Sequence, residues 1–492
     1  MKFTQRIKAA FEIMASGYTG VIDSRYRNPQ AYNKSPVGDE DSVIGTVDRT
    51  KVRLELRYEY RNNPLARGVV DRLASYAIFT GIYPQARTKK AAWNKEAEQW
   101  WRSVYVPAAD YRQMAGVDLI TFQKQNISER LISGDIGYIL LKNGQLQPIE
   151  APRIATPSKL SSDKKIIDGV RVNKSGLTLG YYVCPRKQNG GYVDLTKFKY
   201  VRRENFIHCW KQTRPDMVRG IPDLAPLINY FRDYGETDEA IRAKIKNDAF
   251  TWAKSKNDGP RVGMRNRGSY TLSDSGSKNP QRVEKVEGLR LLNMGKGEDV
   301  DGFESKTPNS EYTPYQKAYI QIMAQCLGLP YEFMMLIFTQ GSFSAIRASM
   351  IHAHHAVLDW NSWNNKIFNR RVWNWRVAKA IRAGELPPAP LDDKGISEWW
   401  KVEWSLPFWQ ELDTDKQTKG DLAGWKMGKE SMKSIIGRGG SDRTDVFTEK
   451  AEDILDAEKI AKEKLGDKNR WRDIIDTSQP GQTVNTETKK DE

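Results

Sequence analysis

The sequence predicts an α+β chain, and three observations carry that prediction. Apolar residues recur at helical spacing over long stretches early and late in the chain, while about seventy residues after the first helices break into short β-branched and aromatic runs separated by Gly, Asn and Ser. A second, Gly-rich strand-like unit then interrupts two later helical patterns. At 492 residues the chain has room for two or three domains and a sizeable core.

Taken in order, the opening residues Phe3, Ile7, Ala10, Phe11 and Met14 are amphipathic, and the polar stretch through Asn28-Pro29 reads as an arm over residues 1–50. A helical pattern spans 52–83, carrying Leu54, Leu56 and Tyr58, then Ala66, Val69, Val70, Leu73 and Ile78. Its interruption at Asn62-Asn63-Pro64 suits a helix restart, because proline fits the first helical turn. Residues 111–131 predict another helix, and Gly134-Asp135-Ile136-Gly137 a turn into a strand. Further strands are predicted at 149–154, 169–172, 180–183 and 206–210. From Pro222, the residues Leu224, Leu227, Ile228, Phe231, Ala240, Ile241, Ile245 and Phe250 mark a long helix with Arg242, Lys244 and Lys246 at polar positions.

A small β unit fills 260–311, and a helix resumes at Pro314 and ends at Gly328. The connection that follows Leu327-Gly328-Leu329-Pro330 is not an ordinary turn: it carries Phe333, Met334, Met335, Leu336, Ile337, Phe338 and Phe343, where a surface loop would be polar. Those side chains need shelter, from this subunit's own core or from neighbouring subunits. Next, Ile346, Met350, Ala353, Val357, Trp360 and Ile367 recur near 3.5 residues and predict a helix up to Gly384 with one sticky seam that wants a partner. Beyond Pro387-Pro388-Ala389-Pro390 come a strand-like aromatic stretch at 399–409, amphipathic helices over 413–465 and a polar tail expected to be disordered.

The formal net charge of +16 points to a polyanionic partner, although chromatin, ribosomal and membrane-surface proteins share such a surplus. Cys184, Cys209 and Cys326 lack metal-ligand or redox-pair spacing, which suits a reducing compartment and core positions. No apolar run is long enough to span a bilayer and the first twenty residues lack a signal-type core, so the chain is expected to act without crossing a membrane by itself. There is no phosphate-cradling loop and no nucleophile elbow. His352 and His355 lie one helical turn apart beside His354, which reads as packing or interface polarity, so neither metal nor cofactor is expected. Asp71, Asp135, Glu150 and Asp359 read as solvated or ion-paired carboxylates. The cluster Lys254, Lys256, Arg261, Arg265 and Arg267 suits duplex phosphates, with a solvated face or an acidic protein surface as the alternatives.

Several separated segments, in order, resemble the portal proteins of tailed bacteriophages of the lambda type, over roughly residues 52–465. They are Arg61-Asn62-Asn63-Pro64-Leu65-Ala66-Arg67, Ser133-Gly134-Asp135, Ile149-Glu150-Ala151-Pro152-Arg153, Gly169-Val170-Arg171-Val172, Ile207-His208 and Arg219-Gly220-Ile221-Pro222. Later come Gly295-Lys296-Gly297-Glu298-Asp299-Val300, Leu327-Gly328-Leu329-Pro330-Tyr331-Glu332 and Ser342-Phe343-Ser344-Ala345-Ile346-Arg347-Ala348. Two departures stand out: the family's Asn-Tyr-Ser-Ser reads Gly341-Ser342-Phe343-Ser344, and its Pro-Gly-Glu strand reads Gly-Lys-Gly-Glu.

The resemblance implies a phage portal fold: an N-terminal arm (1–50), a mixed α/β wing (51–220 and 345–412), a helical stem (221–253 and 312–328), a small β-rich clip (254–311), a tunnel loop (329–344), a helical crown (413–465) and a flexible tail (466–492). It implies a homo-oligomeric ring, usually a dodecamer, at one vertex of the virion, assembled in the host cytoplasm, through which double-stranded DNA is packaged and ejected. The partners it implies are the terminase large subunit, which carries the ATP hydrolysis, a head-tail connector protein, and the major capsid and scaffolding proteins, with no membrane. By position, Phe338, Gln340, Ser342 and Phe343 would approach the duplex. Arg242, Lys244, Lys246 and the basic cluster would supply the field, and Ile346, Met350, Val357 and Trp360 would meet the next subunit. The competing classes are a nuclease-like DNA-processing enzyme, which needs convergent carboxylates for its metal, and a monomeric DNA-binding module.

Overall fold

The computed structural model describes residues 44–187, 193–250, 253–257, 298–302, 312–337, 342–405, 414–438 and 443–466. In chain order these form α1 (Thr46–Asn62), α2 (Pro64–Ile78), β1 (Pro84–Ala86), α3 (Ala91–Trp100), a π-helical turn (Trp101–Tyr105) and α4 (Leu119–Ile132). Next come β2 (Asp135–Leu140), β3 (Leu146–Glu150), β4 (Ile166–Ile167), β5 (Val170–Val172), β6 (Thr178–Val183), β7 (Lys199–Arg202) and β8 (Phe206–Trp210). Then follow α5 (Ile228–Phe250), β9 (Ala253–Asn257), β10 (Glu298–Gly302), α6 (Tyr312–Cys326) and α7 (Tyr331–Met335). The remainder is α8 (Phe343–Asn364), a second π-helical turn (Asn365–Asn369), α9 (Arg370–Ala383), β11 (Val402–Trp404), α10 (Thr414–Lys426), α11 (Met432–Arg438) and α12 (Arg443–Leu465). The chain is thus α+β, as its patterning predicts.

Two compact units separate by internal contact, Met1–Phe231 with Ile320–Glu492, and Arg232–Tyr319. In the smaller unit β9 and β10 pair antiparallel, with Lys254 opposite Asp301 and Lys256 opposite Asp299. There the Tyr312 hydroxyl donates to Asp238 Oδ1 at 3.0 Å, tying α6 to α5. In the larger unit the antiparallel order is β3-β2-β8 in one sheet and β4-β5-β6-β7 in a second, while β1 pairs with β11. Ile139, Ile149, Ile154, Val170, Tyr181, Val201 and Phe206 fill the core between the two larger sheets. A second core gathers Trp93, Trp101, Tyr105, Phe122, Tyr138, Phe368 and Trp373, and the rings of Trp101 and Trp373 lie 5.0 Å apart.

Local chemistry explains several element boundaries. Asn63 caps α2 by accepting from the Leu65 and Ala66 amides at 3.0 and 3.4 Å, with Pro64 in the first turn. The helix expected from residue 111 begins at Leu119 instead, because Gly116 takes a left-handed φ of 78° and Asp118 and Thr121 form a capping box. The helix expected from Pro222 begins at Ile228, since residues 225–227 close a tighter 3-10 turn first. Helix α1 begins at Thr46 and buries Arg49, so the segment read as an arm up to residue 50 already belongs to the core at its end. Helix α3 went unread, although Trp93, Ala97 and Trp100 fall at helical spacing and are its buried face.

At the heart of the larger unit is a buried ionic network. Arg219, fully buried, donates from Nε to Asp135 Oδ2 at 2.5 Å and from Nη2 to Asp135 Oδ1 at 3.1 Å. Its remaining donors reach the carbonyls of Ala151, Ile154 and Asp168 at 2.9, 2.6 and 2.6 Å. Arg53 on α1 donates to the Ser133 carbonyl at 2.7 Å and to Asp135 at 3.3 Å; Arg49 bonds Asp168 at 3.4 Å; His208 Nε2 lies 3.2 Å from Asp135 Oδ2. The glycines beside this pair are required by space: a Cβ on Gly220 would sit 2.0 Å from the Gly134 carbonyl oxygen, and Gly134 has a φ of 84°.

This network fixes the acid response. Burial alone would raise the Asp135 pKa, but Arg219, then Arg53 and the His208 bond, overcome it and hold the carboxyl well below its ordinary range. Burial is also the largest influence on His208 and holds it below the usual histidine value, so the folded chain takes up this proton at lower pH than the unfolded chain does. The unfolded chain takes up that proton below about pH 6.5, so stability is complete above this pH and falls as the pH drops through it, with the Asp135 contribution lost only below about pH 4. Melting temperatures between pH 8 and 5 are expected to decline accordingly, and His208→Asn to flatten that decline. Asp135→Asn removes the carboxylate that Arg53 and Arg219 share, leaving Arg219 only the longer Asp168 pair at 3.5 Å, and is expected to cost about 3–5 kcal/mol in denaturant unfolding.

Candidate nucleic-acid interface

The apolar connection between α6 and α8 splits into an anchored half and an open half. Helix α6 stops at Cys326, Gly328 turns the chain at a φ of 68°, and α7 follows Pro330. Phe333 and Met334 are buried within the chain, and the Phe333 ring packs 5.0 Å from Tyr76 on α2. Arg72 Nη1 donates to the carbonyls of Phe333 and Met334, and Ser349 on α8 donates to Glu332 at 3.2 Å. Beyond them the chain reverses at Leu336, a non-glycine residue in the left-handed region at a φ of 55°. Leu336, Ile337 and Phe343 are exposed, Phe343 by 53%. Ser342 starts α8 by accepting from the Ala345 amide at 3.3 Å.

Of the residues expected to approach a duplex, Ser342 and Phe343 are exposed at this helix start, while Phe338 and Gln340 lie outside the described residues. Arg242, Lys244 and Lys246 are exposed on α5, Arg242 in an ion pair with Asp238 at 2.9 Å. Lys254 and Lys256 sit on β9, and Arg261, Arg265 and Arg267 lie outside the described residues. The structure does not bring the expected subunit-facing residues to one surface. Ile346 and Met350 are half-buried, but Val357 and Trp360, expected to meet a neighbouring subunit, are covered by this subunit itself. Helix α8 turns inward there because α2 and α4 close over it: Asn361 donates to the Ala77 carbonyl at 3.0 Å, and the Arg130 guanidinium stacks 3.7 Å from the Trp360 ring centre.

Arg130 gave no signal in the sequence, yet it organises this region. It is buried, with its guanidinium 3.7 and 4.6 Å from the ring centres of Trp360 and Trp363, and grips Asp223 through Nε and Nη2 at 3.0 and 2.8 Å. A cleft of about 710 Å³ opens beside it, lined by Lys211, Asp223, Cys326, His352, His355 and Asp359 among others. Cys326, expected in the core, is exposed here, whereas Cys184 and Cys209 are buried. Among the described residues no group of three or more His, Cys, Asp or Glu side chains could hold a metal ion, and no helix is long and apolar enough to cross a membrane.

The long helix carries a polar seam deeper in. From α8 through the π turn to α9 the backbone stays helical, and Asn361, Asn365 and Asn369 form a ladder of amide bonds at 2.8 and 2.7 Å. On α4, Asn126 donates to Asn364 at 2.9 Å and Gln123 donates to Asn369 at 3.1 Å. The buried side of this long helix therefore combines apolar residues such as Ala353, Val357 and Phe368 with the buried Asn361, Asn364 and Asn369.

A family model described as "Phage portal protein, lambda family" matches residues 28–360. The portal protein of Escherichia phage N15 is 20% identical over 331 residues, a match covering 63% of this chain and 59% of that relative's length. Among solved structures, a chain from the virion of a native gene transfer agent particle has 12% identity and a TM-score of 0.41, covering 78% of this chain and 92% of its own. Chains from the neck of the empty particle computed with C6 symmetry and of the native particle computed with C12 symmetry have 14% identity and TM-scores of 0.45 and 0.42. They cover 79% and 81% of this chain, and 93% and 95% of their own.

The two halves of the connection should separate in the free subunit. Phe333→Ala is expected to cost about 3–5 kcal/mol in equilibrium unfolding, because it empties a covered site. Phe343→Ser should cost far less, on the order of 0.5 kcal/mol, since its side chain is more than half exposed.

Proposed function

Because this chain belongs to the lambda family of phage portal proteins, we propose that it assembles as a dodecameric ring at one capsid vertex, a conduit for double-stranded DNA during packaging and ejection. The observation that carries this reading is the match of the family model to residues 28–360, more than half of the chain. Phe343, Leu336 and Ile337, apolar and exposed in a connection whose other half is anchored, are the features of the single subunit that suit such an assembly. A closed ring joins unlike faces of identical subunits and so shelters surface that one copy leaves open.

In this reading the 336–343 segment approaches the lumen, and the exposed bases of α5 belong to the stem. Transport requires many weak phosphate contacts without base readout, since a tight grip would stall the moving duplex. The chain is a channel and docking ring for a terminase large subunit, a head-tail connector and the capsid and scaffolding proteins, with no reaction of its own. It resides in the virion after assembly in the host cytoplasm.

Electron microscopy of the purified chain tests the assembly: discrete rings with an axial opening are expected, and a solitary species at every concentration would refute the reading. For the loop, virions carrying Gln340→Ala with Phe343→Ala are expected to package or retain less genome, read as the length of encapsidated DNA. Unchanged length and retention would remove the loop from the transport path.

A further inference from the structure

The chain's positive surplus is unevenly placed. Residues 155–205, which hold the four-stranded sheet, carry eleven Lys and Arg against four Asp and Glu, close to half of the net +16 in about a tenth of the length. In the strand register, Arg171 on β5 lies opposite Gly180 on β6, which lies opposite Arg202 on β7, so both arginines point from the same face. Tyr200 is on that face too and covers Gly180, where a Cβ would come within 2.5 Å of its hydroxyl. Its ring and that of Phe198 pack on Tyr182 at 5.1 and 5.6 Å, leaving Phe198 and Tyr200 exposed. Strand β7 is the edge of the sheet, with Lys199, Tyr200 and Arg202 exposed along it.

We propose that this face is a docking surface for an acidic protein segment that also carries apolar side chains, laid along the β7 edge. Charge complementarity selects the occupant. A second copy would bring the same positive sheet, and edge lysines oppose self-pairing. Duplex DNA would satisfy Arg171 and Arg202 but offers nothing to the exposed rings of Phe198 and Tyr200. Exposed tyrosine, phenylalanine and arginine together are the chemistry of protein interfaces. An extended acidic segment supplies main-chain bonds to the edge strand, carboxylates to the arginines and alternate apolar side chains to the rings. The inference concerns the single subunit and does not rest on ring assembly.

Calorimetric titration of the full chain with three probes tests it: a peptide of about sixteen residues alternating Glu and Val, poly-glutamate of equal length, and random duplex DNA of about thirty base pairs. The alternating peptide is expected to bind saturably, about tenfold or more tighter than poly-glutamate. Arg171→Gln with Arg202→Gln should weaken the peptide about tenfold or more, and Phe198→Ser should weaken it while leaving poly-glutamate unchanged, with melting curves matching the parent. Absence of saturable peptide binding, equal affinity for both peptides, or loss in the arginine variant of duplex binding alone would overturn the proposal. Concentration-dependent self-association abolished by the arginine variant would overturn it in favour of a second copy. None of these results bears on whether rings form.

Discussion

Asp135 and Arg219 meet where no water reaches, and the larger unit is arranged so that they can. A lone buried charge costs several kcal/mol, and mutual attraction offsets that only when the remaining donors and acceptors are also satisfied. Here they are satisfied from distant parts of the sequence: α1 supplies Arg53, β8 supplies His208, and the turns after β3 and before β5 supply carbonyls. Gly134 and Gly220 let two backbones touch so that the residues following and preceding them face each other. The motif segments of the sequence are thus the joints of one electrostatic framework.

The long helix follows a related logic. Its buried face is neither a plain apolar seam nor a solvated stripe, since asparagines one turn apart bond to one another and to α4. Such amides bond in only a few arrangements, so they fix the helix against α4 more specifically than aliphatic packing would. The π turn occupies residues 365–369, within the reach of this ladder. At its other end the same helix begins with Phe343 in the open and Ser342 as its cap. One element therefore joins a rigidly registered interior to the exposed connection.

Helix α7 completes that contrast. Arg72 holds the carbonyls of Phe333 and Met334, so the anchored half of the connection is fixed through its backbone as well as its side chains. Past Leu336 the Ile337 amide still donates to the Glu332 carbonyl at 3.2 Å, but the side chains of Leu336, Ile337 and Phe343 are exposed. Exposed apolar surface of this kind marks association more than stability.

Periodicity and punctuation in the sequence determined the α+β class, the restart at Pro64, the strands β2, β5, β6 and β8 and the long helix to Gly384, because each follows from local backbone geometry. The same patterns placed the exposed connection, whose apolar content has no local explanation. What they could not decide was coverage. Val357 and Trp360 obey the same spacing as Ile346 and Met350, yet only the first pair is enclosed, because α2 and α4, far away in sequence, close over that part of α8. Arg219 and Asp135, and Arg130 and Asp223, likewise look like ordinary surface charges until folding pairs them. Which residues are paired or buried is a property of distant segments meeting, and only the tertiary structure contains it.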